Sequence, residues 1–251
     1  MKKIVFIFHS SAFKIGMLIA LFTISAMIII AILMGNEAGS FVVRVQNTDT
    51  DRSIALTESM DKDKYKLLPR LNAGSKDNMT DCSPRYFLDQ DYKTIRDNFY
   101  KQDGLYKAEF LEESVYAYSF YLVNDGRTTV GVDMKMTCSN ITRQLDEVIR
   151  VMTYYEIAGN QYVNVYQKAD TVEYDYQHYS APGLQLHTFK DAYTIFDDQW
   201  VNIDSQKGNN SFKFMVLIWL EGQDPDSEKY GSSLYNGTMN FEIDFKVSMN
   251  H

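Results

Sequence analysis

Val130-Gly131-Val132-Asp133-Met134-Lys135-Met136-Thr137-Cys138 puts an apolar side chain at every second position. A period of two is the mark of a β-strand with one face on a core and the other in water. The same period returns in Met239-Asn240-Phe241-Glu242-Ile243-Asp244-Phe245-Lys246-Val247. Phe212, Phe214, Val216, Ile218 and Leu220 also alternate, but Met215, Leu217 and Trp219 fill the other face. That strand is expected to be buried on both sides, near the centre of a sheet.

Outward from these three, weaker patterns predict strands at Phe41–Val45, Ile54–Leu56, Val115–Val123, Ile149–Tyr155 and Tyr162–Tyr166. Asn124-Asp125-Gly126 reads as the turn between 115–123 and 130–138, and Gly159-Asn160 as a second hairpin turn. Leu145–Met152 is expected to begin as a helical turn. Residues 57–113 are polar and weakly patterned and read as long loops with short strands or a short helix, the helix at Asp91–Phe99. Eighteen tyrosines and fifteen phenylalanines suit strands better than helices. No Pro/Gly/Ser linker and no internal repeat divides this region. The pattern predicts an all-β domain, an antiparallel β-sandwich of jelly-roll or immunoglobulin-like type, with one core.

Before that domain lies Ile15–Met34, twenty residues without a charge. A helix of that length spans the roughly 30 Å hydrocarbon core of a bilayer. Lys2, Lys3 and Lys14 precede it and Glu37 follows, so residues 1–14 are expected in the cytoplasm and 35–251 outside. A cleaved signal peptide is the rival reading. Its apolar region is usually shorter, and Asn36-Glu37-Ala38 is a poor cleavage site. The expectation is a single-pass signal anchor at the cell membrane. Three of the 25 basic residues and none of the 33 acidic ones precede the outer region, which therefore carries a formal charge of −11. That excess argues against nucleic acid as a partner.

Chemistry is sparse. The four histidines are His9, His178, His187 and His251, and no HExxH, GxSxG, CxxC or Walker sequence occurs. No catalytic, cofactor-binding or metal residue is expected. No Ser/Lys pair is singled out. His178 and His187 straddle a loop and can converge. Asp224-Pro225-Asp226, with Glu228, offers oxygen ligands of the kind calcium takes, but Asp-Pro also initiates turns with no metal, and the EF-hand spacing is absent. Asp49/Asp51, Asp61/Asp63 and Asp89/Asp91 read as solvated loops. Asn78, Asn140, Asn209 and Asn236 stand in glycosylation sequons, which matter only in a eukaryotic source. Cys82 and Cys138 are either a disulfide or two free thiols. Cys138 ends an alternating strand and should point inward, whereas Cys82 sits in a polar stretch.

Trp219-Leu220-Glu221-Gly222-Gln223-Asp224-Pro225-Asp226, Val115–Gly126 and Leu145-Asp146-Glu147-Val148-Ile149-Arg150-Val151 together resemble a group of Gram-positive, Clostridia-type single-pass surface proteins that are largely uncharacterised. The likeness covers most of 40–247, but its motifs are short. Members often carry a Cys near the Asp-Pro-Asp turn, where this chain has Ser227. More distantly the layout is similar to TasA/camelysin-type matrix proteins, which join an N-terminal apolar segment to a jelly-roll-like sandwich and build extracellular fibres. The resemblance implies a structural or adhesive role and carries no catalytic residue.

The reading is therefore a non-enzymatic surface protein acting in adhesion, matrix or fibre assembly. Its partners would be other surface or membrane proteins, including copies of itself. The rival is a ligand-binding or accessory ectodomain of a membrane complex. Phe41–Val45 is a candidate donor strand for a neighbour's sheet edge. Deleting 36–46 is expected to abolish assembly and leave the sandwich folded.

Overall fold

The computed structural model describes residues 16–25, 40–47, 50–83, 86–106, 113–157, 159–168, 184–206, 208–222, 234 and 236–248. The chain divides into two units, Met1–Ala38 and Gly39–His251. In the first, residues 16–25 are α-helical and exposed. Among the described residues no helix is long and apolar enough to cross a membrane. Ile15 and residues 26–34, the rest of the expected span, lie outside the described residues.

The second unit is mostly β. Its strands are β1 (Ser40–Gln46), β2 (Ile54–Thr57), β3 (Arg70–Ser75), β4 (Asp81–Cys82), β5 (Gly104–Leu105), β6 (Val115–Asn124), β7 (Val130–Ser139), β8 (Ile149–Ile157), β9 (Asn160–Gln167), β10 (Leu184–Thr188), β11 (Thr194–Ile203), β12 (Ser211–Glu221) and β13 (Asn240–Ser248). One sheet has five strands in the order β11-β7-β13-β1-β3. The other has eight, along the path β10-β9-β8-β12-β6-β2, with β4 joining β12 and β5 joining β6.

The period of two explains the inner faces. Val132, Met134, Met136 and Cys138 of β7 are buried, as are Ile243, Phe245 and Val247 of β13, while Lys135 and Lys246 are exposed. Aromatic rings from the two sheets meet across this core. Phe41 lies edge-on to Tyr116 and to Tyr118, each 5.8 Å away, and Phe245 lies edge-on to Phe120 at 5.8 Å and Phe214 at 5.7 Å. Offset and edge-to-face pairs of this kind add to the stabilisation from buried area alone.

β12 stands inside its sheet between β8 and β6, as its two apolar faces predict. Phe214, Val216 and Ile218 enter the shared core. Met215, Leu217 and Trp219 enter a second cluster on the opposite face, covered by Phe87, Leu88, Tyr92, Ile95 and Phe99. The segment read as polar loop therefore carries this cover. In place of the expected helix at 91–99 there is a 3-10 turn, Gln90–Tyr92, then a π-helix, Ile95–Tyr100. Asp91 and Tyr92 take positive φ values of 57° and 52°, which no continuous helix tolerates. Asp89 closes the kink by accepting from the Thr94 backbone N–H at 3.1 Å and from its hydroxyl at 3.0 Å.

One expectation is corrected. The sheets are mixed rather than antiparallel: β1 runs parallel to β13, β9 to β10 and β4 to β12. A hairpin turn dictates antiparallel pairing only for strands that follow one another closely. β1 and β13 come from opposite ends of the unit, so no turn sets their direction. β1, which contains the strand read as a candidate donor, lies between β13 and β3.

Cys82 and Cys138 are free and buried. Cys138 belongs to the core between the sheets and Cys82 to the cluster on the far face of the second sheet, so that sheet stands between them. Burial pushes both thiols up to about 11, helped by the carboxylates of Glu221 and Asp81 beside Cys82 and of Asp146 and Asp191 beside Cys138. At pH 8 neither forms the reactive thiolate. Native protein should resist iodoacetamide and take up two alkyl groups only on unfolding. An unreduced mass lower by two hydrogens would instead reveal a disulfide.

Burial also raises the phenols of Tyr92, Tyr121 and Tyr155 to about 12, with Asp103 adding to the effect at Tyr121 and Tyr162 at Tyr155. A group whose folded value is raised supports folding fully below its unfolded pKa and loses that support as the pH climbs through the folded value. Unfolded tyrosine titrates near 10. The melting temperature should hold to about pH 9–10 and then fall steeply towards pH 12, with several phenols titrating together. A flat melting profile from pH 9 to 12 would contradict this burial.

Candidate functional site

The strand singled out as a donor fills a slot. Residues Phe41–Gln46 pair in parallel with Phe241–Lys246, and Ser40–Arg44 pair antiparallel with Arg70–Ser75 across one bulge. Phe41 and Val43 point into the core at 2 % and 0 % exposure. On the outward face the Arg44 guanidinium meets Glu242 and lies 3.3 Å from the Asp244 carboxylate. Gln46 donates to the same Asp244 oxygen at 3.5 Å, and the Ser40 N–H donates to Asn240 at 3.2 Å. These polar contacts fix the register, because a one-residue slip would turn Phe41 and Val43 to water. Among the described residues β3 has no neighbour in its sheet other than β1. β1 is thus the N-terminal strand of the unit and also the piece that holds an outer strand to the rest.

Two of the three stretches behind the family resemblance meet at one end of the second sheet. β12 and β8 pair with Trp219 opposite Arg150 and Leu220 opposite Ile149. Trp219 is fully buried, edge-on to Phe87 at 5.0 Å, and its indole N–H donates to Glu221 at 3.2 Å. Arg150 is also buried and donates to the backbone carbonyls of Ile149 at 3.1 Å and Glu147 at 3.4 Å. Lys168 bridges Asp146 at 2.5 Å and Glu147 at 2.6 Å. A Cβ on Gly222 would stand 2.4 Å from the Asp81 carboxylate, so the exposed Asp81 side chain would have to move to admit one. This is a structural knot of buried charges and packed rings. The adjoining Asp224, Asp226 and Glu228 lie outside the described residues, as does His178.

His187, on β10, stacks on Tyr166 at 5.2 Å and hydrogen-bonds Asn164 at 3.2 Å. Lys213 is tied to Asp103 at 2.8 Å and lies over the rings of Tyr121 and Tyr100. Burial alone would raise the Asp103 carboxyl, but hydrogen bonds from Lys213 and Ser59 outweigh it and hold the group below the usual range. Among the described residues no group of three or more His, Cys, Asp or Glu side chains is placed to hold a metal ion. The sequon asparagines Asn78, Asn140, Asn209 and Asn236 are all exposed.

No family model, curated protein or solved structure matches this chain.

The slot was half legible. The alternation of β13 and the apolar Phe41–Val43 were visible, but the alternation of β3 rests on Leu71 and Ala73 alone, within six residues that include Asn72 and Gly74.

Proposed function

We propose that this chain is a non-enzymatic cell-surface protein, anchored through residues 15–34, whose outer region is a β-sandwich acting in adhesion, matrix or fibre assembly. Its partner is a second copy of itself. The supporting observation is β1: the first strand of the unit pairs on both sides, and its partner β13 comes from the other end of the unit. A strand at an end of its unit can leave its own slot and enter a neighbour's without breaking the order of the strands between. The hydrogen bonds and buried rings are the same in either arrangement. Only chain entropy and concentration decide between a closed monomer and an open chain of copies.

The test is to lock the slot. A variant with Arg44→Cys and Asp244→Cys, which face each other in the register, is joined by a short bis-maleimide while dilute. The cross-linked protein should remain monomeric at concentrations where the unlinked variant polymerises, as read by light scattering. Equal polymerisation of both would exclude strand exchange. Absence of polymers from the native chain at every concentration would exclude self-assembly.

A further inference from the structure

The far face of β12 is covered by residues 86–102, which run between β4 and β5. This cover is held differently from the sheet beneath it. β12 is bound by backbone ladders to β6 and β8. Beyond those inside its helices, the backbone hydrogen bonds of the described cover run from Tyr86 to Ser83, Tyr92 to Asp89 and Gln102 to Phe99, all local. Its attachment to the sheet is through side chains. Phe87 packs edge-on to Trp219 at 5.0 Å, and Tyr92 and Tyr100 lie edge-on to Tyr154 at 6.2 Å and 4.9 Å. The Tyr100 hydroxyl donates to the Lys213 carbonyl at 3.1 Å.

The closed form also carries costs. Asp91 and Tyr92 take positive φ in succession, a conformation that residues with side chains visit singly and at an energetic cost. The Tyr92 side chain is fully buried, and its hydroxyl meets no hydrogen-bond partner among the described residues. A buried hydroxyl without a partner forfeits the hydration it would have in water. Ile95–Tyr100 is a π-helix, a rare form that is frequent at functional sites. Strain, an unpaired group and attachment without a ladder thus coincide in one stretch, and it lies on a strand that is laddered on both sides.

We infer that residues 86–102 are a lid that lifts as one unit from the second sheet while both sheets stay folded. Lifting relieves the strained backbone, hydrates the Tyr92 hydroxyl and leaves the ladders of β12 unbroken. It bares Met215, Leu217 and Trp219, the apolar face that the closed lid keeps from water, and the Cys82 thiol at the root of the lid. It does not involve β1, which belongs to the other sheet.

The two cysteines separate this opening from unfolding of the whole unit. Cys82 belongs to the cluster under the lid and Cys138 to the core between the sheets. The full-length chain in mild detergent is exposed to N-ethylmaleimide in urea below its unfolding midpoint, and labelling of each cysteine is followed by peptide mass spectrometry. Cys82 should react faster than Cys138, by roughly tenfold or more, and its rate should depend more weakly on urea, because a lid exposes less surface than a whole domain. Ile243→Val, in the core between the sheets, should speed Cys138 about fivefold and leave Cys82 unchanged. Tyr92→Phe removes the unpaired hydroxyl and should slow Cys82 about tenfold. Phe99→Ala, at the far end of the lid, should speed Cys82 by roughly tenfold or more. Equal rates for the two thiols at every urea concentration would overturn the inference. So would a Cys82 rate that neither lid variant moves, since β4 would then be fraying alone.

Discussion

A chain lacking residues 1–46 should fail to form a stable first sheet, and a synthetic peptide of the sequence Ser40–Gln46 should restore it. Deletion removes Phe41 and Val43 from the core and exposes Tyr116 and Tyr118, on which Phe41 packs. It also strips the hydrogen-bond partners from the facing edges of β13 and β3. Losing one buried phenylalanine costs about 3–5 kcal/mol, and losing the valine and two ladders adds to it. The total is on the order of the whole stability of a domain this size, roughly 5–15 kcal/mol. The sequence alone led to the opposite expectation, that the sandwich would survive the deletion. The peptide should bind with a saturable gain in melting temperature, since a ligand that binds only the folded state stabilises by mass action. A peptide with Val43→Asp should not, because its carboxylate would have to enter the core unpaired. A deletion protein that melts cooperatively near the native temperature without peptide would contradict the account of β1.

Trp219→Ala should be the most damaging single change in the second sheet. The indole is fully buried, packs edge-on to Phe87 and donates to Glu221. Truncation leaves a large cavity between β12 and the 87–99 cover, at a cost of about 3–5 kcal/mol. It also removes one donor from a buried carboxylate. Trp219→Phe keeps most of the packing but not the N–H, and should cost roughly half as much. Urea midpoints would rank the three proteins. If Trp219→Ala shifted the midpoint no more than a surface substitution does, the cover over this face would not be packed as described.

Where one face met water and the other met core, residue pattern translated directly into structure. β7 and β13 are the clearest cases, and β12, apolar on both faces, declared its central place. β11 shows why others were missed. Its pairing with β7 shifts register twice, between Thr194 and Phe196 and between Phe196 and Gln199, so its buried residues do not alternate. The cover over the second sheet was hidden for a related reason: Phe87, Tyr92, Ile95 and Phe99 follow no single period because the backbone turns between them. Parallel pairing was illegible because direction between distant strands depends on tertiary packing.

The central claim is that one copy's β1 can occupy another copy's slot. Two single variants test it most directly, one with Arg44→Cys and one with Asp244→Cys, positions paired across β1 and β13. They are mixed in equal amounts, allowed to assemble and treated with a short bis-maleimide. Strand exchange predicts covalent dimers joining the two variants in the polymer fraction and none in the monomer fraction. Polymers that form freely yet yield no such dimers would mean that each β1 stays in its own sheet, and that copies meet through some other surface.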